Sequence, residues 1–198
     1  MKILFLTNNA ISEPLIEWLR AREEVTVHQD KLTVSDIDRF EPELIVSYSY
    51  RHILKRVVLD TMPGRFVNLH ISLLPFNRGA DPNAWSYLDG TPQGVTIHEI
   101  DEGIDTGPIL VQQSVTIDES KETLASSYGL LHEAIQALFI AHWGDLRAGR
   151  MRGQAQSAPG TFHVSYDFAR LKDGLLGAEG WDVPIALLRA RYQAICRS

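Results

Sequence analysis

The sequence predicts an α/β protein built on a mostly parallel, twisted sheet flanked by helices, and three observations carry that expectation. Short apolar, β-branched runs alternate with amphipathic stretches through the first 70 residues, the pattern of βαβ units around a parallel sheet. The first run, Ile3-Leu4-Phe5-Leu6, reads as a buried strand. It is followed from Ser12 to Arg22 by Leu15, Ile16, Trp18 and Leu19 at helical spacing, with Pro14 in the first turn, where its missing N–H costs little.

In chain order, strands are expected near 2–7, 24–29, 43–48 and 65–71, and crossover helices near 12–22, 34–40 and 54–62, the last stopping at Pro63-Gly64. Residues 72–91 are rich in helix and strand breakers and read as a long loop with a short helix at Asn83–Leu88. The density of Phe76, Arg78, Trp85 and Tyr87 there points to function rather than disorder. Gly94–Ile100 alternates as a strand, Asp101–Gly107 is a tight acidic turn, and Pro108–Thr116 returns as a second strand, together a hairpin. Lys121–Ala148 places Leu124, Tyr128, Leu131, Ile135, Leu138 and Trp143 on one stripe and ends at Gly149, as one long helix should. Beyond Met151 the pattern weakens and finishes in a helix at Val183–Ala194. The expected organisation is one main domain at 1–150 and an appendage at 151–198, which either packs on the core or forms a homodimer interface.

At 198 residues the chain can bury roughly 70% of its unfolded surface, enough for one self-sufficient core. A net charge of −6 with no cluster of Lys and Arg argues against a nucleic-acid partner, because phosphate contacts depend on such clusters. The first apolar run is too short for a secretory segment or a membrane span, so no membrane partner is expected. A single cysteine, Cys196, is compatible with a reducing cytoplasm and reads as a surface thiol.

Asn68 and His70 lie two apart at the end of a predicted strand, so their side chains share one face and can act on one substrate atom. Carboxyl ends of strands in open α/β sheets are where ligands bind. The bland reading is a turn cap and an ordinary histidine. Asp101-Glu-Gly-Ile-Asp-Thr-Gly107 packs three carboxylates and two glycines into one turn, which suits close backbone approach to a ligand. A solvated acidic turn is its alternative. No calcium-loop pattern and no zincin histidine spacing is present, so no metal is expected, and His98 reads as a packed or edge residue.

Taken together, Asn68-Leu-His-Ile-Ser-Leu-Leu-Pro75, Arg78-Gly-Ala-Asp-Pro82, Gly94-Val-Thr-Ile-His98 and Asp101-Glu-Gly-Ile-Asp-Thr-Gly-Pro108 resemble the signature of the 10-formyltetrahydrofolate-dependent formyltransferases, over about three quarters of the chain. The resemblance implies a Rossmann-like formyltransferase fold, 10-formyltetrahydrofolate as formyl donor, and Asn68, His70 and Asp105 at the catalytic positions. In those roles Asn68 donates to the developing oxyanion, His70 donates beside it and takes part in proton transfer, and Asp105 orients His70 and accepts the amine proton. It also implies a folate site between two backbone edges, His52-Ile53-Leu54 and Asp101 to Ile104 with Gly103. Helix-start packing is an equal reading for Ile53 and Leu54. Tyr48, Tyr50 and Arg51 either wall that pocket or cover surface.

For the acceptor, Thr7-Asn8-Asn9-Ala10-Ile11 lacks the glycines of a phosphate cradle, which disfavours phosphoribosylglycinamide, and the chain is short and acidic for a methionyl-tRNA formyltransferase. Leu74–Ser86 is most similar to the sugar N-formyltransferases acting on nucleotide-linked amino deoxysugars, and to the formylation domain of gramicidin synthetase. On that resemblance Asn77, Arg78, Asp81 and Trp85 line the acceptor side, with an Arg78–Asp81 brace as the alternative. Packing is the expectation for His163, Tyr166 and Trp181, against closure over the acceptor. A carrier-bound amino acid as acceptor, or a non-catalytic folate-binding module, remains open on sequence.

Overall fold

The computed structural model describes residues 1–157 and 159–197. The first strands form where the apolar runs predict: β1 (Lys2–Leu6), β2 (Glu24–His28), β3 (Leu44–Tyr48) and β4 (Phe66–His70). β1 pairs in parallel with both β2 and β3, and β3 pairs in parallel with β4. The crossovers carry α1 (Glu13–Arg20), α2 (Val34–Phe40) and α3 (Arg56–Leu59). α1 starts with Pro14 in its first turn and buries Leu15, Ile16 and Leu19. Thr33 and Asp36 close a capping box at the start of α2. α3 is shorter than the expected 54–62: Lys55 offers no side-chain cap and the segment before it stays extended, although Leu54 is buried.

The hairpin follows as β6 (Gly94–Glu99) and β7 (Ile109–Ser114), after the short β5 (Arg78–Gly79) and α4 (Pro82–Leu88). β6 runs antiparallel to β4, so the six-stranded sheet, in the order β2-β1-β3-β4-β6-β7, is mixed, with a parallel half and a hairpin edge. α5 (Leu124–Arg147) begins after Thr123 and Ser126 exchange backbone-to-hydroxyl hydrogen bonds, which sets its start inside the expected span. The remaining elements are β8 (Phe162–His163), α6 (Ser165–Ala169), α7 (Lys172–Leu176), a 3-10 segment at Gly177–Asp182 and α8 (Ile185–Arg197).

Contacts divide the chain into two compact units. The first, residues 1–70, 96–111 and 136–156, has a core in which Leu4, Leu6, Ile45 and Phe66 of the sheet meet Ile37, Val58 and Leu59 of α2 and α3. Trp18 of α1 meets Trp143 of α5 edge-on at 6.4 Å. The second unit, residues 71–95, 112–135 and 157–198, has its own core of Trp85, Tyr87, Leu124, Phe168, Leu175, Ile185 and Leu188. The C-terminal appendage therefore shares an apolar core with the loop segment before β6. It also supplies β8, which pairs in parallel with β5. That small sheet requires glycine at position 79, where φ is 89° and a Cβ would lie 2.2 Å from the His163 carbonyl oxygen.

Candidate active site

Within the first unit, alternation along β4 puts Phe66, Asn68 and His70 on one face, and the antiparallel register sets His98 of β6 opposite Asn68. The turn after β6 delivers Asp105 to the same place. Asn68 Nδ2 lies 3.2 Å from Asp105 Oδ1 and 3.2 Å from His98 Nε2. His70 Nδ1 is 3.6 Å from Asp105 Oδ2, and His98 Nε2 is 3.5 Å from Asp105 Oδ1. The side chains of His70, His98 and Asp105 are largely buried, and Asn68 is half-buried.

The pattern fixes the orientation of the Asn68 amide. His98 Nδ1 faces the Glu99 carbonyl at 2.7 Å and must donate to it, so in the neutral ring Nε2 is a lone pair. A carboxylate oxygen and a lone pair both require a donor, and Asn68 presents its NH₂ to them. The His70–Asp105 separation is longer than a hydrogen bond, as is common at catalytic pairs before a ligand closes on them. Sequence reasoning missed His98. The signal was its register opposite Asn68, which a single strand's alternation does not reveal.

The turn carrying Asp105 is built by its own residues. Asp101 Oδ1 accepts from the Gly103 N–H at 3.0 Å and from Thr106 Oγ1 at 2.7 Å, so its side chain shapes the turn. Asp105 adopts φ of 54°, a left-handed conformation that costs on the order of 1–3 kcal/mol outside glycine and must be imposed by its surroundings. Gln156 imposes part of it, donating from Nε2 to the Asp105 carbonyl at 2.9 Å and the Gly107 carbonyl at 2.8 Å. Gly107 packs where a Cβ would sit 1.8 Å from the Glu99 carbonyl oxygen.

Arg56, two residues past the first backbone edge expected to hold the folate, pairs with Glu102 of the second at 2.9 Å. Leu54 is buried in the core, whereas Ile53 is 67% and Ile104 40% exposed. His52 Nε2 is buried without a hydrogen-bond partner among the described residues. Exposed apolar side chains beside an orphaned buried nitrogen and the Gly103 backbone fit a flat heterocycle with polar edges. Tyr48 lies in the core, and the Tyr50 hydroxyl donates to the Asp30 carbonyl and accepts from the Leu32 N–H, so both are structural.

At the end of β1, the backbone N–H groups of Asn8, Asn9, Ile11 and Ser12 all donate within the protein, to Ser49 O, Thr7 Oγ1, Asn9 Oδ1 and Asn9 O. Those four are spent and do not point together at a ligand, as a phosphate cradle requires.

The acceptor-side candidates lie in the second unit. Asn77 is 1% exposed, and its side chain donates to Thr91 and accepts from Thr161, so it braces the loop. Trp85 is 3% exposed and stacks on His163 with ring centroids 3.7 Å apart, while His163 pairs with Asp89 at 2.7 Å. Asn77 and Trp85 were expected to line the acceptor side; here Asn77 is engaged by Thr91 and Thr161 and Trp85 by His163. Arg78 forms β5 at intermediate exposure. Asp81 and Trp181 line a cavity of about 410 Å³, and burial raises the Asp81 carboxyl above its usual pKa. Tyr166 is exposed.

Among the described residues no His, Cys, Asp or Glu group is arranged to hold a metal ion, and no helix is long and apolar enough to cross a membrane.

The family described as formyl transferase matches residues 7–142. The chain is 40% identical to the formyltransferase PseJ from Anoxybacillus kamchatkensis, solved in complex with UDP-4,6-dideoxy-4-formamido-L-AltNAc and tetrahydrofolate; the likeness covers 98% of this chain and 100% of that one, with a TM-score of 0.88. It is 29% identical to a dTDP-4-amino-4,6-dideoxyglucose formyltransferase of Mycobacterium bovis over 87% of this chain and 78% of that protein. A methionyl-tRNA formyltransferase of Pelobacter propionicus is 40% identical over 63% of this chain but 39% of its own length.

Proposed function

The chain belongs to the formyl transferase family, and we propose that it moves the formyl group of 10-formyltetrahydrofolate onto the primary amine of a nucleotide-linked amino deoxysugar. The observation that carries this reading is the cluster of Asn68, His70, His98 and Asp105. It combines hydrogen-bond donors with a carboxylate able to take a proton. Likeness to sugar N-formyltransferases along nearly the whole chain supports the acceptor class.

Attack of a neutral amine on the formyl carbon builds negative charge on oxygen and positive charge on nitrogen. Asp105 accepts the amine proton, and His70, 3.6 Å from it, donates to the oxyanion and relays the proton to the leaving folate nitrogen. Asn68 starts with its amide engaged by Asp105 and His98. As the proton reaches Asp105, the carboxyl loses its claim on that amide, and an Asn68 N–H becomes available to the oxyanion when charge peaks. A donor of this kind is worth roughly 3–4 kcal/mol. His52, Ile53, Ile104 and Gly103 would hold the folate by backbone and apolar contact.

Glycinamide ribonucleotide is a weaker acceptor candidate because the N–H groups of Asn8, Asn9, Ile11 and Ser12 in the loop after β1 are spent internally. We place the reaction in the cytoplasm, in line with the exposed free Cys196. The test is mass spectrometry of nucleotide-linked 3-amino and 4-amino sugars incubated with the protein and 10-formyltetrahydrofolate. A formyl mass gain on one of them is expected. Formylation of a carrier-bound amino acid or glycinamide ribonucleotide instead would keep the chemistry and overturn the acceptor.

A further inference from the structure

Within the first unit, the chain leaves α5 through a closed helix end. Gly149 is left-handed, with φ of 63°; its N–H donates to the Leu146 carbonyl at 3.1 Å, and that of Arg150 donates to the Asp145 carbonyl at 3.0 Å. These two bonds make the Schellman arrangement that ends a helix at a glycine. Trp143 and Leu146, both buried, root this end of α5. Residues 153–156 then run along the neck of the turn that carries Asp105. Glu99 and Pro108 form the neck, with the Glu99 N–H donating to the Pro108 carbonyl at 2.9 Å. Gly153 fits against both: a Cβ there would lie 2.5 Å from the Pro108 Cβ and 3.2 Å from Glu99 Oε1. Gln154 and Ile109 exchange two backbone hydrogen bonds of 2.8 Å in an antiparallel bridge. Gln156 then reaches the carbonyls of Asp105 and Gly107.

Gly153, Gln154 and Ala155 are exposed. A segment that buries little apolar surface adds little to the core, so the effect of its hydrogen bonds falls on what they hold. They hold a turn in which Asp105 carries a left-handed backbone, φ 54°, and in which its carboxylate must stay within reach of the Asn68 amide at 3.2 Å. A proton acceptor tolerates little displacement: a shift of about 1 Å can cost about 10²-fold in rate. Gln156 touches Asp105, but it is Gly153 and Gln154 that bring the segment to the turn. Exposed backbone bonds over little buried surface also open locally, without the rest of the unit unfolding.

We infer that residues 153–156 form a positioning strap for the catalytic aspartate: Gly153 and Gln154 fasten it to the neck of the hairpin, and Gln156 sets the backbone of Asp105 from there. The inference rests on Asp105 taking the proton of the attacking amine. Gly153 and Gln154 are positioning residues, since they touch none of the reacting groups. Opening the strap should lower kcat and leave the KM values of formyl donor and acceptor in place.

The test uses Gly153→Ala, which drives a methyl into Pro108, and Gln154→Pro, which removes one donor of the bridge. Both leave Asn68, His70, Asp105 and Gln156 unchanged. Hydrogen exchange should show the Ile109 amide exchanging about tenfold faster or more in each variant, while the amides of β1 and β3 keep their protection. With an amino sugar that the unmodified protein formylates, kcat should fall by about tenfold or more, with both KM values within about twofold. In an Asp105→Asn background neither substitution should lower the residual turnover further, because the strap has lost the group it serves. Full kcat in a variant whose Ile109 amide exchanges fast overturns the inference, and so does a further loss on top of Asp105→Asn, the mark of a merely structural role. Unchanged exchange in both variants overturns it too, since Gly153 and Gln154 would then fasten nothing. If the unmodified protein formylates no amine, the underlying reading fails instead, and that control separates the two failures.

Discussion

The amide of Asn68 and the carboxylate of Asp105 meet at 3.2 Å across 37 residues of sequence. The contact puts a donor and a proton acceptor in one buried place before any ligand arrives. His70→Ala and Asp105→Asn should therefore lower kcat by about 10²–10⁴ while folate affinity changes little, because proton transfer and not ground-state binding is lost. Stopped-flow turnover and folate titration give the two numbers. Equal losses in both would show that these side chains bind the donor rather than drive the chemistry.

Gln156 acts on the site through Asp105, holding its carbonyl and that of Gly107. Gln156→Met keeps the length and removes both donors. It should lower kcat by about tenfold, leave acceptor KM within about twofold, and lower stability by roughly 1–2 kcal/mol. A variant that loses stability without losing kcat would make Gln156 merely a brace.

Gly107→Ala places a methyl into the Glu99 carbonyl, a rigid backbone atom. Either β6 shifts, carrying His98 with it, or the turn carrying Asp105 does. Destabilisation on the order of 3 kcal/mol and a large fall in kcat are expected together, read by chemical denaturation and turnover. Intact activity would mean the turn has slack that its contacts do not show.

The parallel half of the sheet was legible because buried strands and amphipathic helices write their period directly into the chain, as at Ile3–Leu6 and Leu15–Leu19. Asn68 and His70 were legible by alternation, and Asp105 through resemblance. His98 and Gln156 were not, since each acts across a pairing set by the fold: one by the β4–β6 register, the other from 51 residues away. Trp85 misled for the opposite reason. An aromatic in a functional-looking loop is read as a ligand wall, yet His163, far along the chain, claims its face. β5 and β8 were invisible, because a strand of two residues has no period.

His132, in α5 against Tyr128 at 4.1 Å, has its pKa lowered to about 4 by burial, from an ordinary 6.5. Folding keeps it neutral. Above about pH 6.5 both states are neutral and nothing is lost; as pH falls from 6.5 towards 4 the unfolded chain gains a proton that the folded chain refuses, so stability declines by up to roughly 3 kcal/mol. His132→Phe should flatten that decline between pH 6.5 and 4.5 in urea denaturation. An unchanged slope would locate the acid sensitivity elsewhere.

The sharing of one apolar core by residues 71–95, 112–135 and 157–197 governs the order of events on the ribosome. β1 to β4 find all their parallel partners within the first 70 residues and can pair as soon as that length has emerged. The loop around Asn77 waits for Thr161, 84 residues later, and Trp85 waits for His163. While α5 is being made, Trp85, Tyr87 and Leu124 have yet to meet Phe168, Leu175 and Leu188, and nascent chains are most exposed to chaperones and to aggregation in that interval.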